Sequence, residues 1–130
     1  SQAVFYSGGA GLSSDVLHDP AAITTEIGDV QGAVDIAVNS GMITVALLQI
    51  PNQPIVFAAD PDHVSRYEDA FKAFSLGLYL NSPLPSAEKL DLIPDVAMVK
   101  AVLRSMDALQ EFSEQILPGG KIERFFATGC

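Results

Sequence analysis

Residues 33–59 read AVDIAVNSGMITVALLQIPNQPIVFAA, and this stretch carries the clearest strand pattern in the chain. Val34, Ile36 and Val38 alternate with small or acidic residues, which is the period of a half-buried strand. Residues 39–41, Asn-Ser-Gly, tolerate positive φ and predict a hairpin turn. Residues 42–50 are apolar on both faces, and prolines then turn the chain into a third strand at residues 55–59. Three strands with such short connections predict an antiparallel meander.

Two weaker strand candidates precede this stretch, at residues 4–6 and 23–27. The first is followed by Gly8-Gly9-Ala10-Gly11, a loop placed as nucleotide-binding loops are placed. It lacks the GxGxxG spacing and the lysine of a P-loop, so a flexible or tightly turned loop is the favoured interpretation. With these candidates the sheet would have about three to five strands.

After residue 60 the apolar residues follow helical spacing. Asp60 and Pro61 are typical of a helix N-cap and first helical position, and an apolar stripe follows as far as Leu78. Pro94 begins a second helix of roughly 23 residues, ~35 Å long. The sequence thus predicts an α+β fold, with a small antiparallel β-meander in the first half packed against two long amphipathic helices in the second. We expect a single domain, 1–130, whose residues 121–130 form a tail that extends the sheet, crosses a neighbour or stays loose.

The charge is divided unevenly along the chain. No lysine or arginine precedes Arg66, and the same 65 residues carry seven carboxylates, so this half is at −7 within an overall −9. Such a surface repels phosphates, so we expect no nucleic-acid partner, and it favours a protein partner with a basic surface.

Membrane and redox signals are weak. A membrane span needs ~20 consecutive apolar residues and the longest apolar runs are much shorter, so no membrane contact is expected. We expect no remaining signal peptide, because the first residues lack a positively charged region, and a signal peptide already removed would leave no trace. Cys130 is the single cysteine and cannot form an internal disulfide, which favours a cytoplasmic location.

A metal site is one hypothesis that the histidines suggest. Transition metals need three or four convergent ligands. That requires the segment holding His18 and Asp19 to fold onto the one holding Asp62 and His63. Interaction with a helix dipole explains Asp62 more simply, and solvent exposure explains His63, so no cofactor is expected.

A small-ligand pocket between sheet and helices is a second hypothesis. Four aromatic residues of the first long helix would line it: Tyr67, Phe71, Phe74 and Tyr79. Asp35, in the middle of a predicted strand, is the carboxylate to consider. Core packing of the helical stripe is the competing explanation. No G-x-S-x-G elbow is present, and no catalytic residue is assigned.

A protein interface is the leading hypothesis. The second helix is longer than is needed to cover a small sheet. Its apolar stripe and the aromatic pair of the tail would therefore contact a second subunit through Val99, Val102, Met106, Leu109, Phe125 and Phe126. In outline, small size, acidity and sheet-and-helix order resemble those of type III secretion chaperones, although no motif of that group is present. The resemblance implies a dimer that binds a client segment. The expected function is therefore an acidic binding or adaptor protein, a homodimer without catalytic activity. The alternative is a small-ligand-binding protein or enzyme.

Overall fold

The computed structural model describes residues 1–8, 19 and 28–129. Its first elements are strand β1 (Gln2–Ser7), helix α1 (Gly28–Ser40) and strands β2 (Ile43–Leu47), β3 (Ile55–Val56) and β4 (Ser65–Arg66). Helices α2 (Glu68–Asn81) and α3 (Ser86–Lys89) follow, then a 3₁₀ turn at Leu90–Leu92, helix α4 (Pro94–Ile116) and strand β5 (Arg124–Gly129). The predicted strand at residues 23–27 lies outside the described residues.

The mixture of helices and strands is as expected, but the predicted antiparallel meander is wrong. Strands β2, β1 and β5 form a parallel three-stranded sheet in that order, and β3 and β4 form a separate antiparallel pair. Parallel neighbours cannot be joined by a hairpin and need a crossover connection. Helix α1 lies in the crossover from β1 to β2, and α2 to α4 lie in the crossover from β2 to β5.

Helix α1 replaces the strand that the alternation of Val34, Ile36 and Val38 had predicted. Those three side chains are 38%, 41% and 77% exposed. The helix instead packs through Ala33, which is buried, and Ala37, one turn further on. Small side chains allow close approach, and the Thr44 hydroxyl of β2 donates a hydrogen bond to the Ala33 carbonyl at 2.9 Å.

Helix α2 begins at Glu68 and not at the Asp60-Pro61 pair that resembles a helix start. The buried carboxylate of Asp60 accepts the backbone N–H groups of Asp62 and Val64, both at 3.1 Å. These bonds satisfy a turn that precedes β4. The same side-chain chemistry that caps a helix therefore closes a loop here.

Helix α4 confirms the start predicted at Pro94 and spans 23 residues. Near its C-terminal end, Ser113 is buried, and its hydroxyl accepts the N–H of Ile122 at 2.9 Å. The side chain of Gln110 donates to the Ile122 carbonyl at 2.9 Å. The helix end thus holds the segment that enters β5, and residues 124–129 of the predicted tail extend the sheet.

The core of the sheet lies around the middle strand. Ala3 and Phe5 of β1 are fully buried, and the Phe5 ring meets Phe125 of β5 edge-to-face at 5.9 Å. Val4 and Tyr6 alternate to the opposite face, towards α1. In the described part of the chain, no helix combines the length and apolar character required to cross a membrane.

Candidate functional site

The carboxyl edge of the parallel sheet is where its three strands end together. From β1 the chain moves to one side to form β2, then crosses to the other side of β1 to form β5. The strand order therefore reverses between β1 and β5. In open sheets with parallel strands, ligands bind in the crevice outside the carboxyl ends at such a reversal.

Glycines allow the backbones to come close at this edge. Gly129 of β5 pairs with Ser7 of β1, and a Cβ at Gly129 would lie 2.4 Å from the Ser7 carbonyl oxygen. No side chain fits at that distance, so the absence of a side chain at Gly129 lets β1 and β5 lie close together at this end. Next along β1, buried Gly8 donates its N–H to the Leu47 carbonyl at 3.0 Å and accepts the Ile50 N–H at 3.2 Å.

A cavity of about 250 Å³ lies between α1 and the sheet. Its sheet side includes Tyr6 and Thr128, neighbours near the carboxyl edge. Its helix side includes two glycines one turn apart, Gly28 and Gly32, and a Cβ at either would meet nothing within 4 Å. The complete described lining is Val4, Tyr6, Gly28, Gly32, Ala33, Ile36, Thr44, Val45 and Thr128.

The described lining is apolar except for hydroxyl and backbone groups. None of its residues carries a charge. The basic residue of β5, Arg124, opens that strand and so lies at the opposite end from the carboxyl edge. The cavity suits a neutral molecule with an apolar body and a polar group, and it offers an anion no cationic side chain.

The predicted aromatic pocket residues are not arranged around a single described cavity. Phe71 is buried and lines a cavity of about 180 Å³ with Ile55, Phe57 and residues near the start of α4. Tyr67 is 61% exposed, and the Tyr79 ring lies 5.8 Å from the Lys89 ammonium. Asp35 is exposed on α1 and accepts a hydrogen bond from the Gln31 side chain at 2.8 Å.

Phe74 belongs to a cluster that sequence reasoning missed. Its ring lies 5.1 Å from the Phe57 ring and 4.0 Å from the guanidinium carbon of Arg66. Arg66 also forms an ion pair with buried Asp60 at 2.5 Å. The hydrogen bond from Arg66 holds the pKa of the Asp60 carboxyl below its ordinary value. The arrangement neutralises a buried charge and fixes the loop before α2.

The four proposed metal ligands are only partly visible. His18 lies outside the described residues, while Asp19, Asp62 and His63 are exposed. Among the residues that can be placed, no group of three His, Cys, Asp or Glu side chains could hold a metal ion. The four-ligand site therefore stays a prediction.

The proposed interface residues differ in exposure. Val99 and Phe126 are 58% and 54% exposed. Phe125 packs on Phe5, and the remaining three are half-buried on α4: Val102, Met106 and Leu109. Val99 shares its side of α4 with Val96 and Leu103, which are 44% and 56% exposed.

Sequence reasoning did not identify Tyr6 and Thr128 as site residues. Thr128 directly precedes Gly129, the last residue of β5, and Tyr6 lies two residues before Gly8, which follows β1. Strands that end in glycine at the same edge are a usable signal for a ligand crevice. That signal depends on knowing that the two strands are parallel neighbours.

Comparison with known proteins gives two matches. A family model described as PhoPQ-activated pathogenicity-related protein matches residues 9–130. Autocrine proliferation repressor protein A of Dictyostelium discoideum is 39% identical over 95 residues, which is 73% of this chain and 18% of that protein. The chain thus spans less than a fifth of the length of this relative. No solved structure matches the chain.

Proposed function

The chain belongs to the family of PhoPQ-activated pathogenicity-related proteins, and we propose that its parallel sheet binds a small neutral molecule at the carboxyl edge. The observation that carries this proposal is the reversal of strand order between β1 and β5, with a cavity beside it. This develops the small-ligand alternative of the sequence analysis at a location the sequence did not indicate.

The lining defines the class of ligand. An apolar ring or short aliphatic body would occupy the space beside Gly28 and Gly32, and a hydroxyl or carbonyl would reach the hydroxyls of Tyr6 and Thr128. The described lining contains no His, Cys, Asp, Glu or Lys to act as nucleophile or base. The proposal is therefore one of binding, without an assigned reaction.

Binding can be tested by ¹⁹F NMR with 4-fluorobenzyl alcohol as probe. The probe signal should broaden and shift with the wild-type chain, while 4-fluorobenzoate should bind less because it brings an unpaired negative charge. The Gly32→Leu substitution fills the cavity from the helix side and should remove most of the binding of 4-fluorobenzyl alcohol.

The matched control is Gly77→Leu. Gly77 is also a helical glycine whose Cβ would meet open space, but it lies in α2 and does not line this cavity. It should leave probe binding unchanged. Equal binding by wild type and the Gly32 variant, or none by wild type, would contradict the proposal.

A second candidate function is association with another protein through α4. Val96, Val99 and Leu103 form an exposed apolar stripe, with Lys100 and Arg104 beside it. We propose a second copy of the chain as the partner, as the sequence analysis expected. Partners other than a second copy, and the absence of nucleic-acid binding, also stay predictions.

The cellular location is a proposal as well. The single cysteine favours the cytoplasm, whereas the name of the Dictyostelium relative calls that protein autocrine, which favours action outside the cell. Repression of proliferation is named for that relative, and the proposal for this chain is limited to binding a small neutral molecule.

A further inference from the structure

A second cavity lies between α2 and the start of α4, beside β3. Its volume is about 180 Å³, and all of its described lining residues except Ser75 and Asp91 are apolar. An apolar cavity of about 150 Å³ can hold one benzene molecule. The space therefore accommodates an aromatic ring or a short aliphatic chain.

Contacts around this cavity hold its walls in place. The Phe57 ring packs against the Phe74 ring at a centroid distance of 5.1 Å. The buried Ser75 hydroxyl donates a hydrogen bond to the Leu92 carbonyl, which satisfies the serine and ties α2 to the 3₁₀ turn that contains Asp91. A ligand would thus enter a cavity that is already formed, so little conformational entropy would be lost on binding.

Asp91 is the unpaired polar side chain of this lining. Within the described part of the chain, its carboxylate forms no hydrogen bond or ion pair. Asp91 and Ala97 are the exposed members of the described lining, so they lie at the mouth of the cavity. No lysine, arginine or histidine belongs to that lining. The cavity therefore combines an apolar interior with an uncompensated negative charge where it opens.

We propose that this cavity binds an organic ammonium ion, with the apolar body of the ligand inside and its ammonium group on the Asp91 carboxylate. A hydrogen bond between opposite charges is stronger than one between neutral groups, and the net charge of −9 attracts cations to the chain. The site shares no described lining residue with the cavity beside α1, which suits a neutral molecule. The two cavities are therefore separate sites, and neither proposal depends on the other.

Binding can be tested by ¹⁹F NMR with 4-fluorobenzylamine, which is positively charged at neutral pH. Asp91→Asn should raise the dissociation constant of the amine about two- to fivefold, the range of a partly exposed ion pair. It should leave the binding of uncharged 4-fluorobenzyl alcohol unchanged. The matched control is Glu111→Gln, which removes an exposed carboxylate of α4 outside the described lining and should affect neither probe.

A second pair of variants tests the apolar part of the site. Ala97→Leu narrows the mouth and should remove most of the binding of the amine, whereas Ala108→Leu should have no effect. Ala108 is also an exposed alanine of α4 and does not belong to the described lining. Leucine is a strong helix former, so neither substitution should disturb α4.

A wild-type chain that does not bind the amine would overturn this inference, as would equal effects of Asp91→Asn and Glu111→Gln. Loss of amine binding in Gly32→Leu and not in Ala97→Leu would place the amine in the cavity beside α1, and would overturn it as well. The binding of the alcohol by Gly32→Leu decides the proposed function separately.

Discussion

At the scale of single residues, the end of β5 depends on a missing side chain. A Cβ at Gly129 would lie 2.4 Å from the Ser7 carbonyl oxygen and 3.0 Å from its hydroxyl. The atom in the way is backbone, so the strands must move apart to admit it. We predict that Gly129→Ala lowers the free energy of unfolding by ~1–3 kcal/mol, the usual range for overpacking. Urea denaturation followed by circular dichroism measures this.

Gly119→Ala is the control for that prediction. A Cβ at Gly119 meets nothing within 4 Å and its φ is not positive. Alanine there should be neutral or stabilise by ~0.4–1 kcal/mol, because it restricts the unfolded chain. If the two variants change stability equally, the close approach of β1 and β5 is not what Gly129 provides.

Asp60 shows what a residue-level pattern can and cannot reveal. The sequence marked it as a capping residue, and it does accept two backbone N–H groups. In the structure it caps a turn and not a helix. Arg66, six residues later, supplies the positive charge that a buried carboxylate requires. The partner was invisible because a Coulombic contact across a loop has no fixed spacing in sequence.

Among the helices and strands, the spacing of apolar residues predicted α4 correctly and α1 wrongly. Pro94 and the long apolar stripe predicted α4 correctly, since both signals agree. In α1 the large apolar residues alternate like those of a strand, yet they are exposed. The helix packs through Ala33 and Ala37, whose small side chains give little pattern. Tertiary packing thus overrode a local signal that favoured a strand.

The junction between α4 and β5 provides a test at this scale. Buried Ser113 accepts the N–H of Ile122 at 2.9 Å and donates to the Gln110 carbonyl at 3.0 Å. We predict that Ser113→Ala costs ~1–3 kcal/mol of unfolding free energy, because the Ile122 N–H loses its partner. Hydrogen exchange at Ile122 should accelerate accordingly.

Ser105→Ala serves as the comparison. The Ser105 hydroxyl donates only within its own helix, to the Ala101 carbonyl at 2.8 Å. Removing it leaves no backbone donor unpaired, so stability should change by less than about 0.5 kcal/mol. Similar losses for both variants would show that α4 does not anchor the entry to β5 through Ser113.

At the scale of the whole molecule, the topology was beyond the reach of the sequence. β1 and β5 are neighbours although they lie at opposite ends of the chain, with Gln2 opposite Arg124. No local pattern specifies such a pairing, and the hairpin-like Asn-Ser-Gly favoured the wrong connection. The site followed the topology: its residues come from β1, α1, β2 and β5, so it could not be assembled before the strand order was known.

The outer surface of α4 supports a prediction about assembly. In an antiparallel two-fold arrangement of two α4 helices centred between Leu103 and Arg104, Lys100 of one copy would face Asp107 of the other. These two Lys100–Asp107 pairs would lie beside the exposed apolar stripe of Val96, Val99 and Leu103. We predict that the chain dimerises at micromolar concentration and that the double variant Val99→Glu with Leu103→Glu is monomeric, because it would place four carboxylates in the apolar interface. Analytical ultracentrifugation distinguishes the dimer from the monomer.

Val38→Glu is the matched control, since Val38 is an exposed valine of α1 and is 77% accessible. It should dimerise as wild type does. A wild-type chain that remains monomeric at several hundred micromolar would remove the dimer altogether. Dissociation by Val38→Glu and not by the α4 variant would place the interface on α1, which also exposes Val34. The physical point at stake is whether complementary charge around an apolar stripe is sufficient to overcome the repulsion between two chains of net charge −9.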